Sequence, residues 1–233
     1  MQMVVLVGGL GTRLRPLTDR IPKSLVRVNE RPFLDYQLAL FRDAGFRDIV
    51  LCAGYLAEQI EACFGDGRGL GLRIRYGVER NGLLGTAGAV RQAEHLLDEE
   101  FFLTYGDSYL VMDYGGLLRS FRRQGKLAAM VVYRNEDRLE RSNVVIQDGL
   151  VKAYDKERRL PGMRYINFGV SLLRKDALRL VPAGVPYSQE DWYGDLIERR
   201  ELLAFETQQR FYEIGSPQGL REFRSIVAAG ALP

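Results

Sequence analysis

The chain opens on an apolar strand that runs straight into glycine: residues 4–26 read VVLVGGLGTRLRPLTDRIPKSLV. A buried strand followed by Gly8, Gly9 and Gly11 makes a sharp, side-chain-poor turn, whose backbone N–H groups can close around a phosphate. Arg13 and Lys23 add fixed positive charge to the same stretch. The common phosphate loops do not fit. A dinucleotide fingerprint wants a third glycine where this chain has Leu14. A Walker A loop wants Ser or Thr after Gly-Lys, and Gly125-Lys126 is followed by Leu127. A plain strand-to-helix turn accounts for the glycines but not for the two spaced cations.

Apolar runs at residues 3–7, 48–53, 72–76, 101–105 and 127–133 read as strands. Amphipathic segments at 33–44, 57–64, 86–97 and 114–124 read as helices between them. This βαβα order predicts an α/β fold, a Rossmann-like and mostly parallel sheet sandwiched by helices. After residue 140 the texture changes. Residues 143–147 and 150–155 form a hairpin around Asp148-Gly149, followed by a strand at 166–173 and a helix at 188–199. A short strand at 210–214 and an amphipathic helix at 218–229 close the chain. No linker or repeat interrupts it, so one domain is expected over residues 1–233. Residues 1–135 carry the phosphate turn, and 136–233 form a half that folds back on them.

Composition removes several functions. The 33 Lys and Arg against 30 Asp and Glu leave a net charge of +3, without the basic face that bulk nucleic-acid binding calls for. The runs at 119–123 and 158–159 are short surface clusters. Cys52 and Cys63 lack metal-ligand spacing and read as buried free thiols of a reducing compartment. There is no apolar run of transmembrane length and no signal peptide, so a cytoplasmic location and no membrane partner are expected. His95, the single histidine, lies apart from every motif and reads as surface. Trp192 reads equally as pocket lining or as helix packing.

Beyond the opening loop, further elements stand out: Leu84-Gly85-Thr86-Ala87-Gly88-Ala89, Tyr105-Gly106-Asp107-Ser108, Ala153-Tyr154-Asp155-Lys156-Glu157, Asn167-Phe168-Gly169-Val170 and Phe211-Tyr212-Glu213-Ile214-Gly215-Ser216-Pro217. With the G-G-x-G-T-R-L…P-K loop, they resemble the sugar-1-phosphate nucleotidyltransferases, most nearly the heptose-1-phosphate guanylyltransferases. The resemblance implies a nucleotide-diphospho-sugar transferase fold, whose smaller C-terminal antiparallel portion takes the sugar. It also implies the reaction: attack of a sugar 1-phosphate on the α-phosphorus of an NTP, with pyrophosphate leaving and Mg²⁺ as cofactor. Arg13, Lys23 and Asp107 would be catalytic, with Asp107 and Glu213 holding the metal. Gly8, Gly9, Gly11, Thr12, Glu79, Gly85 and Thr86 would bind the nucleotide, with backbone groups at Gly85 and Gly88 reading the base. Asp155, Lys156, Asn167 and Gly169 would bind the sugar phosphate. Four positions depart from the family pattern: Glu213 stands where Asp is usual, Asp155 where Glu is usual, and Glu157 and Leu83 where Pro is usual. The partners implied are an NTP, expected to be GTP with UTP and CTP open, and a heptose or hexose 1-phosphate for surface glycan synthesis. A homodimer stays open. The alternative of another class is a regulatory subunit that binds a nucleotide sugar without turnover.

Overall fold

The structure, a computed structural model, describes residues 1–80 and 82–232. Strands β1 (Gln2–Leu6), β2 (Asp48–Ala53), β3 (Arg73–Val78) and β4 (Glu100–Tyr105) lie in the order β3-β2-β1-β4 and run parallel. β1, β2 and β4 are mostly apolar because both faces of the sheet are covered there, whereas the edge strand β3 carries Arg73 and Arg75. Met3 and Val5 pack into one core layer and Val4 into the other. The remaining strands of this sheet are β5 (Ala128–Arg134), β6 (Val144–Gln147), β7 (Leu150–Tyr154), β8 (Tyr165–Arg174) and β9 (Leu202–Thr207). β8 inserts between β4 and β5, antiparallel to both. β9 then adds in parallel to β5, and the β6–β7 hairpin finishes the nine-stranded sheet. Asp148 and Gly149 take φ angles of 54° and 74°, the paired positive values that a two-residue hairpin turn requires.

Helices α1 (Phe33–Asp43), α2 (Ala57–Phe64) and α4 (Tyr114–Gln124) cover one face through Leu34, Leu38, Ile60 and Leu117. Helices α3 (Gly85–Gln92) and α5 (Gln189–Glu198) cover the other through Ala87, Val90, Trp192 and Leu196. Helix α6 (Pro217–Ala228) starts with Pro217 in its first turn, capped by Ser216, whose hydroxyl accepts from Gly219 N at 3.0 Å. Its Phe223 packs edge-on against Phe33 and Tyr36 of α1 and lies beside Tyr109. This third cluster folds the C-terminus back onto the loop after β4, which is how residues 213 and 107 become neighbours. Among the described residues, no helix is long and apolar enough to cross a membrane.

Several expectations change. Leu202–Thr207 forms an interior strand that the sequence did not announce; its LLAFET shows neither strict alternation nor a flanking turn signal. The strand expected at 210–214 shrinks to Tyr212–Glu213, paired with Ser108–Tyr109. The helix expected over 86–97 ends at Gln92, and a separate single turn covers Glu94–Leu96. Cys52 is buried, but Cys63 is exposed, so only one of the two thiols meets the expectation. Trp192 lines no pocket described below. It is fully buried, and its indole N–H donates to Ala177 O at 3.0 Å. Truncating it to Ala should cost about 3–5 kcal/mol, read as a lower denaturant midpoint at unchanged slope.

Candidate active site

β1 and β4 are adjacent and parallel, so Gly8-Gly9 and Gly106-Asp107 leave the same carboxyl edge of the sheet side by side. That edge is where open α/β sheets bind ligands. The loop after β1 is fastened from within: buried Thr18 donates its hydroxyl to Gly11 O at 2.8 Å, and Tyr55 donates to Asp19 O at 2.9 Å. Pro22, in extended geometry, ends the loop and starts the short turn Lys23–Leu25. Lys23 thereby reaches across to Asp107, with Nζ 2.5 Å from Oδ2 and both side chains mostly buried. Asp107 is immobilised through its main chain, since its carbonyl accepts from Ile214 N at 2.8 Å. Fully buried Gln37 on α1 straps both flanks, donating to Tyr105 O at 2.7 Å and Ser108 O at 2.6 Å. Nothing in the sequence marks Gln37, which reads there as an ordinary polar position on a helix.

Glu213 lies opposite Ser108 in the small ribbon, and its Oε1 accepts from the Ser216 hydroxyl at 2.5 Å. Gly215 shows how tightly the cluster closes. A Cβ on Gly215 would sit 2.8 Å from Glu213 Oε2, 2.9 Å from Arg13 Nη2 and 2.9 Å from Asp107 Oδ2. Three charged groups from distant parts of the chain thus surround one small space. Asp107 and Glu213 offer the hard oxygen donors that Mg²⁺ takes, and such an ion ordinarily completes its shell with phosphate oxygens and water. Among the described residues no group of three or more His, Cys, Asp or Glu forms a metal cage. Asp107 and Glu213 are the two carboxylates of this cluster that an ion shared with substrate could take.

Two clefts meet at this cluster, and Lys23, Tyr105 and Asp107 line both. The first, of about 750 Å³, is lined by Gly8, Gly9, Ser24, Glu79, Gly85 and Thr86. Gly11 and Thr12 line neither cleft. Glu79 Oε1 accepts from Leu84 N at 2.6 Å, and burial raises the carboxyl pKa above the usual range despite that bond. Gly85 holds φ at +73°, with the Tyr187 carbonyl pressed against it. The Ala87 and Gly88 N–H groups both donate to Tyr187 O, at 3.0 and 3.1 Å, so they are not free to read a base, as had been expected near Gly88. The Thr86 hydroxyl accepts from Gln189 N at 2.7 Å, tying the start of α3 to the start of α5.

The second cleft, of about 1520 Å³, contains Arg13, Glu213, Lys156, Asn167 and Gly169, together with Glu140 and Arg141, which sequence reasoning missed. Asn167 Oδ1 accepts from Gly169 N at 2.9 Å, and the Lys156 ammonium lies 5.8 Å from the Tyr154 ring centre. Asp155 is the exception among the expected sugar residues. It lines neither cleft, and its carboxylate accepts from Glu157 N (2.9 Å), Arg158 N (2.7 Å) and Arg158 Nε (2.7 Å). Those bonds hold its pKa below the ordinary value. Asp155 staples its own loop, because three local N–H donors reach it first.

Comparison with known proteins gives the family. Residues 2–153 match the family described as Nucleotidyl transferase. The chain belongs to this family. Within it the chain is a sugar-1-phosphate nucleotidyltransferase, with the nucleotide-diphospho-sugar transferase fold. It is 29% identical over 224 residues to the D-glycero-alpha-D-manno-heptose 1-phosphate guanylyltransferase of Campylobacter jejuni, covering 96% of this chain and 98% of that one. It is 28% identical over 215 residues to the UTP–glucose-1-phosphate uridylyltransferase of Synechocystis, covering 85% of this chain but 55% of that longer protein. The crystal structure of HddC from Yersinia pseudotuberculosis complexed with GMP-PN superposes with a TM-score of 0.80 at 26% identity, covering 97% of this chain and 99% of that one.

Proposed function

We propose that the chain transfers guanylyl from GTP to D-glycero-D-manno-heptose 1-phosphate or a related hexose 1-phosphate, releasing pyrophosphate. The GDP-sugar formed would serve surface glycan synthesis, in the cytoplasm. The observation that carries the reading is the Lys23–Asp107 pair, which stands where the two clefts join. Two polyanions must meet there, so the residues' work is mainly alignment and charge neutralisation. Gly8 and Gly9 cradle the triphosphate, and Arg13 and Lys23 steady the charge that gathers as pyrophosphate leaves. Lys156, Asn167 and Gly169 orient the sugar phosphate for in-line attack. Asp107 and Glu213 would hold Mg²⁺, which when bound supplies further neutralisation of phosphate charge.

Base choice turns on Glu79. A carboxylate only accepts hydrogen bonds, and guanine presents adjacent N–H donors on one edge, whereas uracil presents a single N–H between two carbonyls. Glu79→Gln should weaken GTP binding by about 1.5–3 kcal/mol, roughly ten- to a hundredfold, and erode its preference over UTP. The pH sign follows from the raised carboxyl. As pH falls through that raised pKa, Glu79 takes up a proton and loses acceptor capacity, so GTP affinity should fall with it. In Glu79→Gln this pH-dependent component should vanish. Calorimetric titrations across the acidic range check both points.

The decisive assay crosses four NTPs with heptose, mannose and glucose 1-phosphates in the presence of Mg²⁺ and reads pyrophosphate release. Turnover with UTP alone would transfer the reading to the base named for the Synechocystis relative, and turnover with CTP alone to cytosine. No release anywhere in the matrix would favour a subunit that binds nucleotide sugars without turnover.

A further inference from the structure

The second cleft holds three carboxylates, and two are already engaged. Asp107 is paired with Lys23, and Glu213 accepts from Ser216. Among the described residues, the Glu140 carboxylate has no hydrogen-bond or ion-pair partner, although it lines the same cleft as Arg13, Lys156 and Asn167. Its main chain is nonetheless held. Buried Asn135 donates to Glu140 O at 2.5 Å and to Ser142 Oγ at 3.1 Å, and accepts from Leu139 N at 3.0 Å. Ser142 is buried too and exchanges bonds with Asp137, which Arg159 also holds at 2.6 Å. The loop therefore carries Glu140 on a framework already ordered, with Glu136 and Asp137 locked in left-handed conformations at φ 49° and 61°.

A free carboxylate on a rigid loop, inside a cleft for a polyhydroxylated anion, needs N–H or O–H donors, and a sugar hydroxyl is the donor such a ligand brings. We propose that Glu140 accepts from a hydroxyl of the sugar 1-phosphate, a contact that resemblance implies for Asp155, and that it thereby selects among sugars. Surrounding protein supports the assignment: partial desolvation and then the Glu213 charge push the Glu140 carboxyl up, against the pull of Arg13 and Lys156, as expected of a group that gains by receiving a donor. The proposal rests on reading the second cleft as the sugar-phosphate side.

The test compares Glu140→Gln and Asp155→Asn in initial-rate kinetics with the best sugar 1-phosphate of the matrix, with thermal melts confirming that each variant folds. Glu140→Gln should raise the KM for sugar 1-phosphate by about tenfold or more, and leave the KM for NTP within about twofold. Asp155→Asn should shift the sugar KM by less than about threefold. A deoxy analogue lacking the bonded hydroxyl should bind the wild type more weakly, with little further loss in Glu140→Gln. An unchanged sugar KM in Glu140→Gln, an equal rise in the NTP KM, or the loss appearing in Asp155→Asn instead would each overturn the proposal. If the wild type releases no pyrophosphate at all, the enzymatic reading falls by itself. Calorimetric affinity for the sugar 1-phosphates, wild type against Glu140→Gln, then still decides the role of Glu140.

Discussion

Asp107→Asn should lower the rate of pyrophosphate release by about a hundred- to a thousandfold, with a much smaller change in NTP affinity. The substitution keeps shape and removes charge. Lys23, 2.5 Å from Oδ2 in the native protein, would then face a neutral amide in a mostly buried position, where losing one partner of an ion pair costs about 3–5 kcal/mol. The same change removes one of the two carboxylates that fit Mg²⁺. Two signatures should therefore appear together: a fall in kcat and a weaker response to added Mg²⁺, with Mn²⁺ binding followed by electron paramagnetic resonance as a direct check. The main-chain bond from Ile214 and the Gln37 straps do not involve the side chain, so the fold should survive. A variant retaining wild-type turnover would remove Asp107 from the chemistry altogether.

Gly215→Ala is the second large effect, and it acts by volume alone. The backbone at 215 is not in the left-handed region, so alanine meets no conformational penalty there. Its methyl would instead occupy the space bounded by Glu213, Arg13 and Asp107 at 2.8–2.9 Å. Displacing those charges by even about 1 Å should reduce kcat/KM by about a hundredfold. Gly85→Ala offers the contrast: φ is +73° and the Tyr187 carbonyl is 2.8 Å from the new Cβ, so it should lower the melting temperature first. If Gly215→Ala lost stability to the same extent, the space would be a packing requirement and not a reaction volume.

The sequence made the helices legible where amphipathicity and a breaker agree. α2 and α4 begin and end where periodicity placed them, and Asp113 caps α4 by accepting from Gly116 N at 2.7 Å. β9 was hidden because LLAFET shows neither strict alternation nor a flanking turn signal; its partners on either side define it. The glycine loop, Lys23, Asp107 and Glu213, which the structure gathers at one edge of the sheet, were visible as candidates because each lies in a short motif of recognisable chemistry. Glu140 was not, since residues 134–141 form a charged run that reads as solvated loop, and only the buried Asn135–Ser142 bonds reveal its order. Asp155 shows the opposite failure. A motif gives a residue's place in the chain but not which nearby donors will capture its side chain.

The bonds between the start of α3 and residues 187–189 carry a consequence for redesign. Tyr187 N donates to Leu84 O at 2.8 Å, Tyr187 O receives two N–H groups, and Gln189 N donates to Thr86. The turn proposed to face the nucleotide is thus built from two stretches about a hundred positions apart, one of them in the C-terminal half of the chain. A chimera meant to change the nucleotide would have to transplant both pieces. Moving residues 84–89 alone would leave the graft without the floor on which its shape depends.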